Sequence, residues 1–325
     1  MPPTGARPGH PCVKALVTGA AGFIGSHLAE RLIAAGATVT GIDCFTDYYP
    51  RELKERNLAG LRGASGFRLV ESALADADLS TLLNGVTHVF HLAAQAGARQ
   101  SWGQDFRVYT VDNVEATQIL LEACVGRPIE RLVYASSSSV YGDGVTLPMR
   151  EDARPQPVSP YGVTKLAAEQ LCHLYHVNHG VPAVSLRYFT VYGPRQRPDM
   201  GFSRFLHAVT RGHAVPQFGD GRQTRDFTFV ADAVAATVAA ATRGKPGGVY
   251  NIGGGSRVEL LHVFELIGRI TGRPVLVEET EVQPGDMRDT YADTSRAKAD
   301  LAFAPTARLE DGLRAQYDWM TAGHD

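Results

Sequence analysis

The chain has 325 residues, 44% of them hydrophobic and 20% charged, with a formal net charge of −2. This is an ordinary globular composition, long enough for one large α/β unit with a smaller lobe. It offers no electrostatic case for nucleic acid or an acidic membrane as partner, and no stretch reaches the about 20 apolar residues of a membrane-spanning helix.

Residues 1–11 (MPPTGARPGHP) are rich in Pro and Gly and lack the apolar core of a signal peptide, so they read as a flexible tail. The four cysteines, Cys12, Cys44, Cys124 and Cys172, are scattered without a CxxC pair. That pattern fits reduced thiols in a cytoplasmic protein and gives no structural metal site.

Val13–Thr18 is a β-rich run. The glycine turn Gly19-Ala20-Ala21-Gly22-Phe23-Ile24-Gly25 follows it, then a helical pattern over Ser26–Ala35, then a second strand, Thr38–Asp43, that ends in an acid. Strand, glycine turn, helix, strand and acid within about 30 residues make a dinucleotide-binding unit. Glycines let backbone N–H groups approach a pyrophosphate at the positive end of the helix. A carboxylate at Asp43 accepts from the adenosine ribose hydroxyls and repels a 2′-phosphate, which favours NAD over NADP.

Gly66–Glu71 and His88–Ala94 read as buried parallel strands. His91, at a strand end among alanines, is expected to be structural, and Ala93, Ala94 and Ala96 are small enough to let a cofactor lie against the backbone. Asn113–Cys124 reads as a helix with Asn113 as its N-cap. Arg131–Ala135 is a strand that runs into Ser136–Ser139 and a VYG turn. In a parallel sheet that strand end faces the ligand crevice, so a serine there can bond a substrate hydroxyl. Tyr161 and Lys165 are four residues apart at the start of a helix and share one face. An ammonium beside a phenol is expected to lower the phenol's pKa and make a base.

Taken together, TGAAGFIGSHL, HLAAQAGAR, SSSSVYG, SPYGVTK, RYFTVYGPRQRPDM and DYYPRELKERN resemble the extended short-chain dehydrogenase/reductase family in its nucleotide-sugar epimerase branch. RYFTVYGPRQRPDM and DYYPRELKERN resemble UDP-glucuronate 4-epimerases most. The resemblance implies a doubly wound Rossmann-type parallel sheet over residues 12–186, with a return segment at about 226–250, and a smaller α/β lobe over 187–225 and 251–325. It implies NAD, a UDP-sugar substrate, and a homodimer built on the Asn113 and Tyr161 helices.

By that resemblance Tyr161 is the base, Lys165 holds the nicotinamide ribose, and Ser137 assists with Ser138 and Ser139 beside it. Gly19, Gly22, Phe23, Ile24, Gly25, Asp43, Leu92, Ala93 and Ala94 meet NAD. The family's acid after the third strand is replaced by Ala73, which leaves Leu74 to meet the adenine. Arg99, Thr190, Arg197, Phe202, Gln217, Phe218, Arg225 and Arg288 would meet the nucleotide sugar; Arg225 and Arg288 would clamp the diphosphate, since arginine binds phosphate bidentately.

A dehydratase of this branch carries an Asp–Glu pair where this chain has Ser138 and Ser139, and Thr190 stands where UDP-glucose epimerases usually have Asn. Both point to 4-epimerisation of UDP-glucuronate. A 4-epimerase of a neutral UDP-hexose, a UDP-glucuronate decarboxylase and a silent NAD-binding sensor remain as alternatives.

Overall fold

The computed structural model describes residues 13–322; the N-terminal tail and Cys12 lie outside that range. The first half comprises β1 (Lys14–Thr18), α1 (Phe23–Ala34), β2 (Thr38–Asp43), α2 (Arg51–Asn57), β3 (Phe67–Glu71), α3 (Leu79–Leu82), β4 (His88–His91), α4 (Phe106–Tyr109), α5 (Ala116–Cys124), β5 (Arg131–Ser137) and α6 (Pro160–His179). There follow β6 (Ala183–Tyr188), β7 (Thr190–Tyr192), α7 (Gly201–Thr210), β8 (Val215–Phe218), β9 (Thr224–Phe229), α8 (Val230–Arg243), β10 (Val249–Ile252), β11 (Arg257–Glu259), α9 (Leu260–Thr271), β12 (Val277–Thr280), α10 (Ser295–Leu301) and α11 (Leu309–Thr321).

Seven strands form one parallel sheet in the order β10-β6-β5-β4-β1-β2-β3. Its central strands β1, β4, β5 and β6 are almost wholly buried because helices cover both faces. On one face α1 and α8 bury Leu28, Leu32, Ala233 and Ala240 against Val17, Val133 and Leu186. On the other, α5 and α6 bury Leu120, Leu121, Ala168 and Cys172 against Leu16, Val89 and Leu132. The chain runs outward from β1 to β3 and then returns to β4, so the strand order reverses between β1 and β4. A crevice opens at such a reversal, beyond the carboxyl ends of the strands.

A three-stranded sheet, β11-β9-β7, and a two-stranded sheet, β12-β8, belong to the second region. Its core gathers Phe205, Leu206, Val263, Ile267 and Leu313 from α7, α9 and α11.

Two sequence expectations are corrected. The lobe does not resume at residue 251: β10, which runs to Ile252, pairs with β6 as the outer strand of the main sheet. Asn113 is not an N-cap. The chain is already helical from Phe106 and passes through a π-turn over Thr110–Glu115. The Asn113 amide instead fixes the loop after β4, accepting from the Gln95 N–H at 2.7 Å and donating to Gln95 O and Thr164 Oγ1 at 3.0 Å each. Tertiary demand has overridden a local capping signal.

Candidate active site

The crevice holds a cavity of about 400 Å³ at the carboxyl ends of β1, β2, β4 and β5. Gly19, Gly22, Phe23, Ile24 and Gly25 form its floor. Gly19 has φ +70°, and a Cβ on it would stand 2.9 Å from Ala93 N; a Cβ on Gly25 would run into the Gly19 carbonyl. Only glycine fits either position. The first turn of α1 has no side-chain cap, so its N–H groups face the cavity as an anion site.

Asp43 is 8% exposed and lines the same space. Its two oxygens accept from Ala21 N–H at 3.1 Å and Phe45 N–H at 2.9 Å, and Lys54 Nζ stands 3.6 Å away. The fixed carboxylate, the glycine cradle and the helix N-terminus together fit a dinucleotide. Leu74, Leu92, Ala93 and Ala94 line the cavity as expected, and Ala73 lies beside Leu74. Lys54, Tyr48, Tyr49 and Met200 also line it but had no local motif to single them out. Lys54 and the two tyrosines sit inside DYYPRELKERN, which was informative only as a resemblance.

At the other end of the cavity, Ser159 caps α6 by accepting from Gly162 N–H at 3.1 Å, and Pro160 occupies the first turn. This start sets Tyr161 and Lys165 on the face turned toward β5. Tyr161, Lys165, Ser137, Ser138 and Ser139 all line the cavity. The Ser137 hydroxyl accepts from Ser139 N–H at 3.1 Å and stands with the Tyr161 phenol on the same cavity wall.

One electrostatic expectation is corrected. Burial pushes the Tyr161 phenol up, while Ser137 and the Arg197 guanidinium pull it down. The lowering was expected from Lys165, but its ammonium donates to the Ala135 carbonyl at 2.8 Å, and burial brings its own pKa down to about 7.

Behind this wall Glu169 and Arg187 form a buried bidentate pair at 2.6 and 3.0 Å, and Ser136 Oγ donates to Glu169 at 2.6 Å. Removing one member of such a pair costs about 3–5 kcal/mol, so the pair ties α6, β5 and β6 together just behind the serines. His91 is structural as expected: its ring nitrogens bond Thr18 Oγ1 at 2.8 Å and Thr117 Oγ1 at 2.9 Å, and burial lowers its pKa to about 3.

Thr190 and Arg197 also line the cavity. Arg197 donates to both oxygens of Asp199 at 2.9 Å, and the Tyr48 hydroxyl reaches the same carboxylate at 3.2 Å.

The remaining expected substrate residues gather elsewhere, beyond the cavity wall. Arg99 lies 3.8 Å over the Phe218 ring and pairs with Asp286 at 2.7 and 3.1 Å. Arg225 donates to the carbonyls of Thr224 at 2.9 Å and Arg288 at 2.8 Å. Arg288 pairs with Asp220 at 2.9 Å. Two other expected residues are turned inward. Phe202 is 2% exposed and packs on Tyr192 and Phe227 in the lobe core. The Gln217 side chain is buried and spends its N–H on Gly219 O at 3.0 Å. Neither side chain lines the cavity around Tyr161; an apolar or amide side chain in sequence does not reveal which way it points.

Among the described residues no group of His, Cys, Asp or Glu could hold a metal ion, and no helix is long and apolar enough to cross a membrane.

A family model described as the NAD dependent epimerase/dehydratase family matches residues 15–253. The chain is 45% identical over 314 residues to an uncharacterized UDP-glucose epimerase, YtcB, of Bacillus subtilis, covering 95% of this chain and 98% of that protein. It is 36% identical over 311 residues to a UDP-glucuronate 4-epimerase of Thermodesulfobacterium geofontis, covering 94% and 95%. A crystal structure of UDP-glucuronic acid 4-epimerase from Bacillus cereus, in complex with UDP-glucuronic acid and NAD, superposes with a TM-score of 0.93 at 44% identity, covering 96% of this chain and all of that one. With its glycine turn, its acid after β2 and its Tyr-Lys-Ser wall in one cavity, the chain belongs to the NAD dependent epimerase/dehydratase family.

Proposed function

We propose that this chain catalyses the NAD-dependent 4-epimerisation of UDP-glucuronate to UDP-galacturonate. The observation that carries the reading is one cavity wall in which Tyr161, Lys165 and Ser137 stand with Thr190, with serines rather than carboxylates at 138 and 139.

Bound NAD would supply a hydride acceptor that also returns the hydride. Tyr161 takes the proton from the C4 hydroxyl as that carbon is oxidised, and Ser137 holds the hydroxyl in line. Burial alone works against the phenolate, so Ser137 and Arg197 carry the compensation. Lys165 fixes the end of β5 through Ala135 O and has N–H donors left for a ribose hydroxyl. With no acid at 138 or 139 to expel a C6 substituent, the 4-keto sugar is turned over and reduced on its other face, and Tyr161 gives the proton back.

A 4-keto glucuronate is a β-keto acid and loses CO₂ when its carboxylate bond aligns with the carbonyl π-system. Hydroxyls of Thr190, Ser138 and Ser139 would hold the carboxylate out of that alignment. Arg99, Arg225 and Arg288 would bind the diphosphate, beside Phe218.

Residues 13–186 with the return segment, carried on through β10 to Ile252, act as the cofactor domain and the rest as the substrate lobe. Exposed Val108, Val111, Val163, Leu174 and Val177 on the α4–α5 stretch and α6 support a homodimer through these helices, in the cytoplasm. A sedimenting monomer at micromolar concentration would overturn the dimer.

The test of function is incubation of the purified protein with UDP-glucuronate and, separately, UDP-glucose, with product sugars resolved. UDP-galacturonate from the first supports the reading. Turnover of UDP-glucose alone would make it a neutral-hexose epimerase, pentose with CO₂ a decarboxylase, and no change at C4 with NAD bound a silent binder.

A further inference from the structure

The loop over residues 193–199 touches both regions of the molecule. On the lobe side it is held by Gln196. The Gln196 amide donates to Val191 O at 3.1 Å and accepts from Ser203 N–H at 3.0 Å and Gln316 Nε2 at 2.8 Å.

On the cofactor side it meets α1. Arg195 donates to Ser26 Oγ at 3.3 Å and to Glu30 Oε1 at 2.8 Å. The His27 ring donates to Pro194 O at 3.0 Å. Ser26, His27 and Glu30 follow directly on the glycine turn that lines the cavity. Arg195 makes this reach from a left-handed backbone, φ 67°, which a side-chain-bearing residue rarely adopts. Such a conformation persists when its surroundings impose it. Two residues on, Arg197 enters the cavity near Tyr161.

We propose that Arg195 is a positioning residue: by pinning the loop to α1 through Ser26 and Glu30, it sets where Arg197 stands against substrate. The proposal rests on the functional reading above. The helix that presents backbone N–H groups to the cofactor thereby also fixes a substrate-side cation. Without the pin, the loop keeps its Gln196 anchor and the Gly193 N–H bond to Gln316 Oε1 at 2.9 Å, while the stretch on the α1 side is released. Arg197 then keeps only Asp199, which moves with the same loop, and through it the Tyr48 hydroxyl on the cofactor side.

The test uses the full-length protein with Arg195→Gly, Glu30→Gln and the double variant. Glycine suits the left-handed backbone, so it removes the anchor without adding strain. Two quantities are read: hydrogen exchange of the amides over 193–199, and the KM for UDP-glucuronate against kcat. Both single variants are expected to speed exchange in the loop and to raise KM by about threefold to tenfold, with a smaller change in kcat. The double variant is expected to be no worse than Arg195→Gly, since both remove the same pin. Arg195→Lys, which keeps the charge opposite Glu30 but not the Ser26 contact, should fall between wild type and Arg195→Gly.

A lowered melting temperature with loop exchange and KM at their wild-type values would show a merely structural residue and overturn the proposal. Additive effects in the double variant would overturn it as well. A wild type that leaves UDP-glucuronate unchanged would sink the functional reading alone, because the exchange measurement still judges the pin.

Discussion

The cavity around Tyr161 and the arginine cluster beyond it are prepared in opposite ways. In the cavity the candidate reacting groups are already gathered: Ser137 and Tyr161 share one wall, and Lys165 is fixed on Ala135 O. In the cluster each guanidinium is occupied. Arg99 holds Asp286, Arg288 holds Asp220, and Arg225 holds two carbonyls. A diphosphate would have to displace these partners. The pairs lie toward solvent, where such contacts contribute little, and a dianionic ligand competes well with a single carboxylate. On the proposed function the chemistry is thus built into the fold, while the grip on the nucleotide would form by exchange of partners.

The largest effect that could break this contrast is at Tyr161. Tyr161→Phe should lower 4-epimerisation about 10³-fold while leaving NAD binding intact, measured as product formed and as cofactor retained through purification. Near-normal turnover would mean that the cavity is not where the chemistry happens.

Arg225→Met should raise the KM for UDP-glucuronate about tenfold with little loss of kcat, since a charge-assisted hydrogen bond to phosphate is removed. A loss confined to kcat would erase the distinction between the two regions.

Asp286→Asn sharpens the contrast from the other side. If Asp286 competes with the diphosphate for Arg99, neutralising it should lower KM by roughly twofold to fivefold. An increase would show that Asp286 orients Arg99 instead.

A pH-linked effect bears on stability rather than turnover. Burial brings Lys165 from an unfolded value of about 10.4 to about 7. The cost of burying the ammonium is present in full below the folded value. Between the two values the unfolded chain holds a proton that the folded chain does not, so stability rises with pH across that window. Lys165→Met removes this contribution. Wild-type stability minus variant stability in urea should therefore climb from about pH 7 to pH 10 by roughly 1 kcal/mol per unit at most. A flat difference would place the ammonium in water.

Much of the cofactor side was legible in the sequence because its signals are local. The glycine turn, the acid closing β2 and the Tyr161–Lys165 spacing each lie within one element or one βαβ unit. The failures are long-range. Nothing near Lys165 announces that its ammonium will turn to Ala135 O on a neighbouring strand. Nothing near Arg99 reveals a partner at Asp286, far along the chain. Phe202 reads the same whether it covers a ligand or fills a core; the rings of Tyr192 and Phe227 decide it. The expected boundary at 250 cuts β10 in two because four apolar-leaning residues, VYNI, carry no mark of the sheet they join. Asn113 carried a capping signal, but its amide is engaged by Gln95 and Thr164 instead.

The placement of β10 has a consequence for changing this protein. β6 lies between β5 and β10, and the chain makes its excursion through β7, α7, β8 and β9 before it supplies that outer strand. A cut after residue 190 would leave the β6 edge bare, an open template for aggregation. The sugar-recognising part therefore cannot be exchanged as a cassette with that of a relative. New substrate preference has to be introduced side chain by side chain, within a chain that must fold as one piece.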